Sequence, residues 1–233
     1  MIRLAAAALL LAAAFPAAAA ERGYTITSFD RIRVEGPYAV SVTNNRGSSA
    51  RATGSPAALD AVIVRVDGRT LVVRRDANGW GGPAAGDRGP VTIAVTAPQL
   101  VAASLSGSGS LAIDAMRAQR VDLVVEGSGR LRLGRLETDR LAATVVGSGT
   151  IEVAGQVADA RVIVRGSGAL EAVRLTAADA NVSADGSATV RLAVRRAVTV
   201  TASGSGTVAI DGSPACTVRS VGASEVTCGS GRR

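Results

Sequence analysis

A chain of 233 residues that is 47% apolar but only 2% aromatic must build its core from Val, Leu, Ile and Ala in thin, uniform layers. It contains no histidine, which excludes a Ser-His-Asp triad and any metal site that relies on imidazole. The formal charge of +7 comes from 26 basic residues, all arginine and spread along the whole chain. Without a basic block, that excess speaks for solubility rather than for a polyanion site.

The chain starts Met1-Ile2-Arg3, continues with an apolar run over residues 4–15, and passes Pro16 and four alanines before Glu21. A positive start, an apolar stretch and a small-residue end describe a secretory signal peptide over residues 1–20, with cleavage expected near Ala20. The other reading, a membrane anchor, fails on length: residues 4–20 number 17, and a span needs about 20. No Cys follows the cleavage site, which speaks against a lipid anchor. The expected location is therefore the periplasm or outside the cell, with no transmembrane segment in the mature chain.

Residues 21–100 read as irregular β-coils at the start of a stack. Ile32-Val34, Val40-Val42, Val62-Val64-Val66, Leu71-Val73 and Val91-Ile93-Val95 all alternate with exposed residues, as half-buried strands do. Ser55 ahead of Pro56 predicts a short helical turn, with Ser55 as cap and Pro56 at the first position. Residues 77–90 form a Gly-rich loop expected to protrude. It carries Trp80, the only Trp, either as a stacking platform for a sugar or as packing against the first coils.

From residue 101 to 228 a repeat takes over. Glycine turns begin at Gly107, Gly127, Gly147, Gly166, Gly186, Gly204 and Gly222, spaced by 20, 20, 19, 20, 18 and 18 residues, with Ser next in all but the last, where Ala223 precedes Ser224. After each turn come two inward positions. The first column runs Leu111, Leu131, Ile151, Leu170, Val190, Val208, Val226, and the second runs Ile113, Leu133, Val153, Ala172, Leu192, Ile210, Cys228. A variable bend follows, and then a second strand with inward triplets such as Val121-Leu123-Val125 and Val198-Val200-Ala202.

Two short strands per unit cannot bury their faces alone. Stacking one coil on the next at about 4.8 Å aligns like residues in columns. The predicted fold is all-β, a right-handed parallel β-helix of about 20-residue coils, with the turn glycines taking positive φ. An antiparallel sandwich is the alternative. It would call for two-residue Asn-Gly or Asp-Gly turns and alternating strand direction, whereas these units repeat with unchanged polarity. Residues 229–233 form a tail.

The opening Phe29-Asp30-Arg31-Ile32-Arg33-Val34-Glu35-Gly36, the Leu71-Val72-Val73 strand and the serial Gly-Ser-Gly coils resemble one bacterial family. It is the auto-transporter adhesin, head GIN domain family, a domain of unknown function. The resemblance covers residues 28–228 and implies a β-helical head in an exported protein, with adhesion as the inferred role. It brings no catalytic residues and no cofactor. It also implies a membrane barrel for self-sufficient members, and no such barrel follows Cys228 in this sequence.

Several residue sets invite a functional reading. Arg120, Arg140, Asp159 and Asp179 share one column, where two stacked carboxylates could share a cation or form a solvated corner offset by arginine. Arg132 with Glu152, Glu171 with Arg191, and Arg165 with Asp185 are expected to pair across coils as register pins. Ser108, Ser128, Ser148, Ser167, Ser187 and Ser205 form a serine column, expected as a ladder of turn hydroxyls. Cys216 and Cys228, in a chain bound for an oxidising compartment, are expected to form a disulfide closing the C-terminal end.

These features predict an exported, non-enzymatic binding or structural module, adhesin-head-like, with an envelope or extracellular partner. The scarcity of aromatics argues against nucleic acid, which single-strand binders hold by base stacking. The alternatives are a β-helical polysaccharide-active enzyme and an electrostatic binder of anionic envelope polymers.

Overall fold

The structure, a computed structural model, describes residues 20–76 and 89–229. The expected signal segment ahead of Ala20, most of the Gly-rich loop with Trp80, and residues 230–233 lie outside the described residues. In chain order the elements are β1 (Ala20–Tyr24), β2 (Arg31–Glu35), β3 (Ala39–Thr43), β4 (Ser49–Gly54), α1 (Pro56–Asp60), β5 (Val62–Asp67), β6 (Thr70–Arg75) and β7 (Thr92–Thr96). They continue as β8 (Ala102–Gly107), β9 (Ser110–Gly127), β10 (Arg130–Gly147), β11 (Thr150–Gly166), β12 (Ala169–Gly186), β13 (Thr189–Gly204), β14 (Thr207–Gly212), β15 (Ala215–Gly222) and β16 (Glu225–Cys228).

From β8 onward the chain is a parallel β-solenoid, as the repeat spacing predicts. Leu131 lies beside Leu111 on one side and Ile151 on the other; Leu141 lies between Val121 and Ala160 in the same way. The aliphatic columns from Leu111 to Ile210 are buried. Each added coil therefore converts one apolar layer from end surface into interior, the main favourable term in folding.

The corner glycines are required twice over. Gly127 has φ 102°, a conformation that disfavours any Cβ. A Cβ there would also lie 2.8 Å from the Gly107 carbonyl oxygen. That close approach lets the Ser128 N–H donate to the same carbonyl at 3.0 Å, and Ser148 N–H to Gly127 at 2.8 Å. The corners are thus stitched coil to coil through the backbone.

The bend after the second inward position is a third face. The β9–β10 ladder breaks at Gly134 and Asp139, and between those corners Leu136 pairs with Met116 and Thr138 with Ala118. Met116, Leu136, Val157, Leu175, Ala177 and Val194 are buried here. Coil length varies on this face alone: register slips fall between Leu133 and Leu136, between Glu152 and Gly155, and between Ala172 and Thr176.

The N-terminal layers only partly continue the stack. β2 lies parallel to β8 and β3 parallel to β9, with Gly36 at φ 114° in the corner beneath Gly107. β6 and β7 add another parallel layer on β2 and β3. Beyond it the direction reverses, with β5 antiparallel to β6, β4 to β7 and β1 to β4. This corrects the expectation that residues 21–100 are simply less regular coils. The cause is a two-residue hairpin loop, Gly68-Arg69, with Gly68 at φ 60°, which turns the chain back on itself. α1 joins the reversed strands, with Ser55 accepting from the Ala58 N–H and Pro56 at its first turn, and it buries Ala58 and Leu59.

Candidate functional site

The faces are laced by ion pairs between neighbouring coils. Arg132 Nε donates to Glu152 at 2.8 Å, Arg191 reaches Glu171 at 3.6 Å, and Arg165 reaches Asp185 at 3.8 Å. All three arginines are more than half exposed, so each pair contributes on the order of 0.2–1 kcal/mol and acts mainly on register. The serine column is held chiefly through the backbone. A hydroxyl-to-hydroxyl contact joins Ser187 and Ser205 at 3.1 Å, while the stitching along the column runs from Ser N–H groups to Gly carbonyls.

The third face holds a groove of about 690 Å³. It forms where β11 is a residue short: Gly155 stands against Leu136 with φ 131°, where a Cβ would run into the Leu136 backbone. Arg117, Arg135 and Arg195 rim it together with Glu137, Asp139 and Gln156. Arg117 Nε lies 3.2 Å from Glu137, and Asp139 and Gln156 add acceptors. The arrangement offers arginine forks and hydrogen-bond acceptors along a shallow trough, suited to an extended polar ligand.

A second groove, of about 400 Å³, lies over the Arg120, Arg140, Asp159, Asp179 column. Asp159 and Asp179 are register neighbours, as their spacing predicts. Asp179 pairs with Arg196, and Arg120 with Asp122 at 3.0 Å, so the column is interleaved with arginine. Among the described residues no group of three or more Cys, Asp or Glu side chains converges as a metal site.

A smaller hollow of about 230 Å³ lies beside the N-terminal layers, lined by Pro37, Tyr38, Ala58, Arg75 and Val91. Burial raises the Tyr38 hydroxyl above its ordinary pKa of 10.0, against a smaller lowering by Arg75. Trp80 itself lies outside the described residues.

At the other end Cys216 and Cys228 form a disulfide, with Cα atoms 6.6 Å apart. It joins β15 to β16 across the interior. Both cysteines sit on the inward columns, yet Cys216 is exposed, for among the described residues β15 is covered by β13 on one side alone.

Parallel coils wound around an aliphatic core define this chain as a β-solenoid with a reversed cap. It belongs to the family described as "putative auto-transporter adhesin, head GIN domain", which matches residues 28–214. Solved structures share the fold at low identity. A "putative adhesin" from Bacteroides fragilis NCTC 9343 is 19% identical, covers 90% of this chain and 97% of its own, and has a TM-score of 0.76. A "putative lipid binding protein" from Parabacteroides distasonis ATCC 8503 is 20% identical, covers 90% and 96%, and has a TM-score of 0.70. A "putative adhesin" from Parabacteroides merdae ATCC 43184 is 15% identical, covers 90% and 95%, and has a TM-score of 0.67. No curated protein matches the chain.

Proposed function

We propose that this chain is an exported, non-enzymatic binding module of the bacterial cell envelope, which holds an extended polar ligand along its third face. The observation that carries the reading is the trough made by the short coil at Gly155, rimmed by Arg117, Arg135 and Arg195. The arginine excess at the rim favours an anionic or carboxylate-bearing envelope polymer. The names of the structural relatives, adhesins and a lipid-binding protein, point the same way, towards binding rather than turnover.

Three features support the absence of catalysis. The chain lacks histidine. Its cysteines are joined to each other. Asp159 and Asp179, carboxylates on neighbouring coils, stand in a column with arginines. The signal-like segment over residues 1–20 and the disulfide support a location in the periplasm or outside the cell.

The test is retention of the mature protein on isolated envelope polysaccharide. Combined Arg117→Ala, Arg135→Ala and Arg195→Ala substitutions should lower retention about tenfold or more at low salt, since each exposed arginine contact is modest and three add. Retention that is unchanged by both the triple variant and high salt would remove the groove and its charge as the binding determinant.

A further inference from the structure

The two ends of the solenoid are finished differently. At the C-terminal end, among the described residues, β15 pairs only with β13 and β16 only with β14. Val200, one coil inside, is 0% exposed, whereas Val218 above it in the same column is 42% exposed. The edge has no proline, bulge or inward-pointing charge across β15 and β16, three of the devices that block strand addition. We infer that this end is a homodimer interface: a second copy docks end to end, with β15 of each chain antiparallel to β16 of the other about a twofold axis through the Gly222 corner.

Two independent features of the edge agree on that register. The first is hydrogen-bond phase. Ala223, Glu225 and Gly229 donate their N–H groups back to Gly204, Gly206 and Ile210. In β15 the column that begins at Asp122, whose N–H donates to Val101, reaches Thr217. Backbone groups alternate sides along a strand, so Cys216, Val218, Ser220, Val226 and Cys228 turn theirs to the free side. With Gly222 on the axis, Val218 meets Val226 of the second copy and Cys216 meets Cys228. Each of these is a pair whose free groups face one another, as an antiparallel hydrogen-bonded pair requires.

The second is charge. The same register sets Arg219 opposite Glu225 of the second copy, and Glu225 opposite Arg219. Both are exposed and lie on the outer surface, so the contact is closed by two opposite-charge cross-strand pairs. The contact is isologous, as a twofold demands.

This inference is separate from the groove proposed above, which lies on the third face away from the mouth. Sedimentation or light scattering of the mature protein between about 1 and 100 µM should show a dimer that dissociates on dilution. Arg219→Glu or Glu225→Arg alone should weaken the dimer about tenfold, and the two together should restore it to within about threefold, because the double swap recreates both pairs. These sites are exposed, so unchanged thermal unfolding of the variants confirms intact fold. A monomer throughout that range, or a dimer indifferent to the single charge reversals, overturns the inference.

Discussion

The coils from β8 to β14 and the layers built from residues 31–100 solve the same problem in different ways. In the regular coils each residue has a like neighbour on both sides, as Leu131 has Leu111 and Ile151. One residue type therefore persists down a column. In the N-terminal layers β5 meets β6 head to tail, and Val64 faces Val73 across an antiparallel pair. Across those reversed pairs no parallel column continues and no period is written. Periodicity thus records parallel stacking, while reversal ends it and finishes the sheet.

That contrast can be broken at the centre of the stack. Leu133→Asp places a carboxylate among buried aliphatics, and the expected cost is more than about 3 kcal/mol. Arg130→Asp, three positions earlier but outward, should cost less than about 1 kcal/mol. Chemical denaturation of both variants checks the pair; equal losses would mean that the inward columns are misassigned.

Corners sharpen the comparison next. Gly127 and Gly68 both have positive φ, but a Cβ at Gly127 meets the backbone of the coil below, and at Gly68 it meets open space. Gly127→Asn should cost about 2–4 kcal/mol from strain and backbone displacement. Gly68→Asn should cost less than about 1 kcal/mol, since Asn tolerates that turn conformation. Thermal unfolding of the two variants would separate stacking from simple turn geometry.

The smallest effect is expected at the open end. Replacing both Cys216 and Cys228 by Ser removes a cross-link that closes a short loop, worth at most about 3 kcal/mol. Because coils contact only their neighbours, the loss should be local. Hydrogen exchange should quicken in β15 and β16 and stay unchanged in β10. Uniform acceleration through the stack would show that the end and the middle unfold together.

Much of this architecture was legible in the residues. The two aliphatic columns, the corner glycines, the Arg132–Glu152, Glu171–Arg191 and Arg165–Asp185 pairs, and the disulfide all sit at constant offsets from the Gly-Ser turns. The third face was not legible, because its buried residues keep no single offset across the register slips: Met116, Leu136 and Leu175 stand nine places after their turns, Val157 ten and Val194 eight. The groove of the candidate site arises from one such slip and was missed with it. The reversed layers did carry a signal: Asp67-Gly68 between two alternating runs is a hairpin marker, and it was overshadowed by the repeat. The corner at Gly36 also went unread as a corner, since Pro37-Tyr38 stands where later coils have Ser-Gly.

The passage out to the reversed layers and back has a consequence for how such a molecule can be assembled and altered. Asn45 N–H donates to the Pro98 carbonyl and Arg46 N–H to Ala97, so the outgoing and returning strands of the detour run side by side. Gly36 and Gly107 are 71 positions apart, and excising residues 46–97, 52 in number, leaves 19. That remainder is one ordinary winding. The terminal plug apart from β1 is thus a cassette spliced into a single loop, and it should be transplantable onto another solenoid of the same pitch.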